Sequence, residues 1–192
     1  MTVYKVLAFI GETSAGKDTL LNSVLSIDPQ SYRIVSCTTR PPREKEVDGF
    51  DYYFLTNPEI KNEIMQNKFL ELTSFNGWFY GTRITDLSKN RINVGVFNPE
   101  GIRKLLQRPD IDLRVIEVKA DRELRKQRYL ARDTKCDVAE LERRLDADAK
   151  DFEFLGFDRV VLYNNADHDL TINTEKVVRW LELWRNSQGK KS

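Results

Sequence analysis

Gly11, Gly16 and Lys17 stand in the spacing G-x-x-x-x-G-K within the run Gly11-Glu12-Thr13-Ser14-Ala15-Gly16-Lys17-Asp18-Thr19. Residues of these types in this pattern suit the cradling of phosphate groups. Glycines let the backbone curl so that successive N–H groups point inward, and the lysine reaches the outer phosphates as a point charge. One position departs from the pattern. Asp18 stands where a Ser or Thr hydroxyl meets a magnesium ion, with Thr19 one place later. A carboxylate is also a hard oxygen ligand, which makes Asp18 the candidate Mg²⁺ residue.

A phosphate loop needs a strand before it and a helix after it. Val3 to Ile10 is an apolar, β-branched run of the length of a buried strand, and Leu20, Leu21, Val24 and Leu25 share one helical face. The helix N-terminus adds its partial positive charge to the loop. Tyr32 to Cys37 reads as a second strand, and Arg40-Pro41-Pro42-Arg43 follows closely. Two arginines three apart on a proline-stiffened segment suit bidentate grasp of a second phosphate, although the same composition fits a solvated loop.

The 192 residues can bury a substantial core and are expected to form one domain. With 31 basic against 30 acidic residues, nothing marks the chain as a binder of nucleic acid or a membrane surface. Cys37 and Cys136 lack metal-type or redox-type spacing, and His168 reads as a surface loop residue. The first apolar run is too short for a signal peptide, and no segment reaches membrane-spanning length. A cytoplasmic location is the expectation.

The run from Ser36 to Phe54 has the form S-x-T-T-R-x-P-R-x-x-E-x-x-G-x-D-Y-x-F, on Ser36, Thr38, Thr39, Arg40, Pro42, Arg43, Glu46, Gly49, Asp51, Tyr52 and Phe54. It resembles the monophosphate-binding signature of guanylate kinases. The resemblance implies that Arg40, Arg43 and Tyr52 hold the acceptor phosphate and that Ser36 touches guanine. Phe69-Leu70-Glu71 and Tyr80-Gly81-Thr82 are similar to two further elements of that family. There Glu71 would accept from the guanine N1 and 2-amino donors, Tyr80 would share the acceptor phosphate, and Thr82 would meet the base edge. Arg132-Asp133-Thr134 and Arg144-Leu145 resemble the two arginine-bearing signatures of the family's lid, with Arg143 the rival of Arg144. Asn164-Asn165 looks like the strand end at which the family's Asn meets the donor adenine. At Asn98-Pro99-Glu100-Gly101 an amide stands where the family carries an acid, so Asn98 is either a helix cap or part of the site.

The remaining pattern predicts helices at Asn57 to Asn67 (Asn57 as cap), Pro99 to Leu106 and Asp121 to Ala149. Strands are expected at Phe69 to Leu72, Trp78 to Thr82 (joined by an Asn76-Gly77 turn), Arg91 to Phe97, Asp112 to Lys119 and Phe157 to Tyr163. Basic residues of the long helical stretch are expected to pair with Glu123, Glu140 and Glu142 at helical spacings. Val177, Trp180, Leu181 and Trp184 form the apolar face of a last helix, followed by a disordered tail from Gln188 to Ser192. Alternating strands and helices imply an α/β fold with a parallel sheet covered on both faces. The resemblance implies a P-loop NTPase-type core (1–32, 91–119, 153–187), a small mixed monophosphate-binding insert (33–90) and a helical lid (120–152). It implies an ATP:GMP phosphotransferase using Mg²⁺ with ATP and GMP or dGMP as substrates, monomeric or homodimeric. ATP would lie on Gly11, Thr13, Ser14, Ala15, Gly16, Lys17, Asp18, Thr19 and Asn164, with Lys17, Arg40, Arg132 and Arg144 around the transferring group. The alternatives are a kinase of the same fold with another acceptor (a deoxynucleoside monophosphate or ribose 1,5-bisphosphate) and a non-catalytic binding module.

Overall fold

Val6, Ala8 and Ile10 face one side of a strand, Leu7 and Phe9 the other, and all five are buried. A strand apolar on both faces belongs in the middle of a sheet that is covered on both sides. The computed structural model describes residues 2–75, 77–132 and 138–187, and only the backbone of Arg132, Glu140 and Asp167. The chain runs β1 (Tyr4–Ile10), α1 (Lys17–Ile27), β2 (Tyr32–Arg33), β3 (Cys37–Thr38), β4 (Tyr53–Phe54), α2 (Asn57–Met65), β5 (Phe69–Phe75) and β6 (Trp78–Arg83). It continues through β7 (Asn93–Val96), α3 (Pro99–Leu106), β8 (Ile111–Lys119), α4 (Arg122–Arg132), α5 (Val138–Glu153), β9 (Val160–Tyr163) and α6 (Asp167–Asn186).

The core sheet has the order β2-β7-β1-β8-β9 with every neighbour parallel. Leu7 and Phe9 pack with Leu20 and Val24 of α1 and with Val177, Leu181 and Trp184 of α6. On the opposite face Val6, Ala8 and Ile10 pack with Ile102 and Leu105 of α3 and with Leu155. The expected apolar face of the last helix is therefore core, with Trp180 only partly buried. A second sheet, β4-β3-β6-β5, is antiparallel except for β3 and β4. Tyr129, Leu141 and Leu145 form a separate small cluster between α4 and α5.

Four expectations are corrected. The strand expected over Tyr32 to Cys37 breaks in two, and its halves join different sheets, β2 beside β7 and β3 beside β6. The cap of α2 is Thr56, not Asn57. Its hydroxyl accepts from the Glu59 N–H while the Glu59 carboxylate accepts from the Thr56 N–H, a reciprocal capping box that places Pro58 second in the helix. His168 lies in the first turn of α6 rather than in a loop. The carboxylate of Glu142 accepts from Arg122 and Lys126 across the α4–α5 interface, not along its own helix. Asn76, Cys136 and the Gln188–Ser192 tail lie outside the described residues. Cys37 is buried, and burial pushes its thiol up to about 12, so it stays protonated as a packing residue.

Candidate functional site

The glycine loop leaves the carboxyl end of β1 in the middle of the sheet and enters α1. Gly16 has φ +100°, and a Cβ there would lie 2.2 Å from the Asn164 side-chain nitrogen. At Gly11 the φ is +152°, and a Cβ would lie 2.3 Å from the Val118 carbonyl oxygen. Only glycine meets both demands. Ser14 also takes a left-handed conformation, φ 61°, and its buried hydroxyl has no hydrogen-bond partner among the described residues. Strain and an orphaned polar group in one loop are features of a ligand site.

Three remote parts of the chain hold this loop. The Asn164 amide donates to the Ala15 carbonyl at 2.9 Å. Arg125, 4% exposed on α4, donates to the Glu12 carboxylate at 3.0 Å. The Asp148 carboxylate on α5 accepts from the Thr13 N–H at 2.5 Å. Lys17 Nζ donates to the Gly11 and Glu12 carbonyls at 2.7 and 3.0 Å, which keeps the ammonium at the mouth of the loop.

Across the cleft, Glu46 organises the arginines. Its two oxygens accept from Arg40 Nη2 at 2.8 and 2.9 Å, and it accepts also from the Arg43 N–H and from Arg43 Nη1. Arg40 lies over the rings of Tyr52 and Phe54, 5.6 and 5.9 Å from their centroids, and Tyr52 meets Tyr80 edge to face. Two guanidinium forks and two phenol groups thus converge on one small volume. Burial raises the Tyr52 hydroxyl well above its ordinary range, so it stays a donor. Thr38 and Thr39 instead hold strands together, through the Phe79 carbonyl and N–H respectively.

Glu71 sits deeper, 7% exposed on β5, opposite Thr82 on β6. Burial pushes its carboxyl up to about 7, with hydrogen bonds from Thr82 pulling the other way. Ser36 and Thr82 bring their hydroxyls within 3.4 Å of each other. Asn98 turns out to be both cap and wall. Its Oδ1 accepts from the Gly101 N–H at 2.7 Å, and its Nδ2 donates to the Thr73 hydroxyl at 2.8 Å inside the same cleft. One cavity is lined together by Gly11, Thr13 and Lys17 of the loop and by Ser36, Tyr52, Glu71 and Tyr80.

A second cavity on the far side of the loop is lined by Ser14, Gly16, Lys17, Asp18, Thr19, Asn164 and Arg128. Arg128 is one of the basic residues of the stretch expected to pair at helical spacings. Its Nη1 is buried with no hydrogen-bond partner among the described residues, beside the phosphate loop. The available signal was its spacing, one helical turn before Arg132 on the same face. The side chain of Arg132 and residues Asp133 and Thr134 lie outside the described residues. Arg144 on α5 donates to the Tyr129 hydroxyl at 3.2 Å, which joins α5 to α4. Asp18 is exposed on the first turn of α1, and no group of three His, Cys, Asp or Glu side chains among the described residues could hold a metal alone. That donor set fits Mg²⁺, which binds through one or two carboxylates together with substrate phosphates.

Comparison with known proteins follows the same lines. The family model described as guanylate kinase matches residues 4–179. The chain is 32% identical over 175 residues to a guanylate kinase of Synechococcus sp., covering 89% of this chain and 96% of that one. It is 34% identical over 146 residues to a guanylate kinase of Rubrobacter xylanophilus, covering 73% and 75%. The crystal structure of guanylate kinase from Anaplasma phagocytophilum superposes with a TM-score of 0.70 over 96% of this chain and 88% of that one, at 19% identity, and so shares the fold.

Proposed function

The chain belongs to the guanylate kinase family, and from that premise we propose that it moves the γ-phosphoryl of ATP onto GMP or dGMP. The observation that carries the reading is the cavity in which Glu71 and Lys17 face one space, a base reader at one end and a phosphate loop at the other. The ionised Glu71 accepts from the guanine N1–H and 2-amino group, a pair of donors that adenine does not offer. Arg40, Arg43, Tyr52 and Tyr80 hold the acceptor phosphate, with Glu46 keeping both guanidinium groups in place until substrate arrives. The loop N–H groups and Lys17 hold the donor phosphates, and Ser36 and Thr82 complete the base pocket. Arg132, Arg144 and Arg128 of the lid neutralise charge that builds on the transferring group. No general base is required, because the attacking oxygen belongs to an ionised phosphate.

Asp18 would hold Mg²⁺ against the donor phosphates, where the ion supplies charge neutralisation. The insert (33–90) and the lid (120–152) close over the core (1–32, 91–119, 153–187) and exclude water, so that ATP is not hydrolysed. A cytoplasmic site of action suits a consumer of free nucleotides. No helix among the described residues is long and apolar enough to cross a membrane.

A coupled ADP-release assay with ATP and Mg²⁺ tests the reading, offering GMP, dGMP, AMP, dTMP and ribose 1,5-bisphosphate in turn. Turnover selective for GMP or dGMP and lost in Glu71→Gln is the expected result. Preference for AMP or for the sugar phosphate would overturn it.

A further inference from the structure

The contact between Asp148 and Thr13 joins residues 135 apart in sequence and puts a carboxylate on an N–H of the phosphate loop. Asp148 is 5% exposed, so this is a packed contact and not a passing surface encounter. A carboxylate on a backbone N–H is a charge-assisted hydrogen bond of the kind a phosphate oxygen makes at the same donor. We propose that Asp148 is a built-in competitor for the donor phosphates, filling part of their binding site from the lid when no nucleotide is bound. The inference rests on the reading of the loop as the donor site.

Two physical consequences follow from its place on α5. A buried carboxylate and a triphosphate cannot share the Thr13 N–H, because the like charges repel strongly at low dielectric. Nucleotide entry therefore has to withdraw Asp148. Arg144 lies one turn earlier on the same helix face, so the movement that takes the carboxylate off the Thr13 N–H also resets the guanidinium that is to meet the transferring group. The Arg125–Glu12 pair attaches α4 to the same loop through separate side chains. Donor binding and lid position are then one equilibrium, and the occupied state lowers the apparent affinity for ATP by its own population.

Calorimetric titration with a non-hydrolysable ATP analogue, without acceptor and with or without Mg²⁺, tests this on the whole protein. Asp148→Ala is expected to bind the analogue about tenfold more tightly than the natural chain, and Asp148→Asn, of nearly equal shape, by a smaller factor. A purely structural role would weaken binding or leave it alone. Unchanged or weaker binding in the asparagine variant overturns the proposal, including weakening confined to Mg²⁺, which would mark Asp148 as a metal residue. Absence of analogue binding in the natural protein and in both Asp148 variants alike would instead overturn the donor-site reading beneath it.

Discussion

Glu71 answers to two opposing demands, because the ionised form proposed to read a base is the form that burial penalises. Its carboxyl rises from an ordinary 4.5 to about 7 in the fold. The folded state thus holds this proton more tightly than the unfolded chain, and the fold loses stability as pH climbs from 4.5 through 7. The cost is complete above that window, on the order of 3 kcal/mol. Glu71→Gln is accordingly expected to raise the melting temperature at pH 8 while removing the preference for GMP. In the natural protein, kcat/KM for GMP should fall below about pH 7 as the carboxylate gains its proton. A flat profile from pH 6 to 8 that persists in Glu71→Gln with GMP preference intact would show that Glu71 does not read the base. Gly16 carries a simpler demand. Gly16→Ala sets a Cβ against the Asn164 amide at a φ of +100° and is expected to cost more than about 2 kcal/mol, measured by denaturant unfolding.

Helices α4 and α5 pack on one another through a small cluster of their own. Leu141 and Leu145 are fully buried against Tyr129, and Arg122 and Lys126 meet Glu142 across the same interface. Leu141→Ala should cost this pair of helices about 2–5 kcal/mol. Amide hydrogen exchange is expected to quicken across α4 and α5 and to stay slow in β1 and β8. Uniform acceleration would mean that α4 and α5 unfold only with the rest. Most elements were legible in the sequence because their signals are local, whether a period of two or 3.6 or a proline near a helix start. The exceptions have particular causes. Pro58 fits either of the first two helical positions, and the Thr56–Glu59 capping box selects the second. The apolar run from Tyr32 to Cys37 shows no break, yet its two ends find hydrogen-bonding partners in different sheets. Glu142 finds its cations on α4, which no spacing within its own helix could reveal.

The phosphate loop is where distant parts of the molecule meet. Glu12, Thr13 and Ala15 are held by side chains 113, 135 and 149 residues away. The residues that line the candidate cleft were legible where the motif is contiguous, as in Gly11 to Thr19 and Arg40 to Phe54. Asp148 and Arg125 were not, since each acts through a contact that only the fold brings α4 and α5 to make with the loop, and Arg128 lines a cavity that only the fold assembles. The same geometry ties the use of ATP to the presence of an acceptor. If donor and acceptor meet in a closed, water-excluding cleft, every phosphoryl group that leaves ATP must arrive on the acceptor. The most direct measurement is a chromatographic count of all nucleotides after incubation with limiting ATP, excess GMP and Mg²⁺. ADP and GDP formed in equal amounts, with no ADP when GMP is left out, is the predicted result. ADP without matching GDP would contradict it.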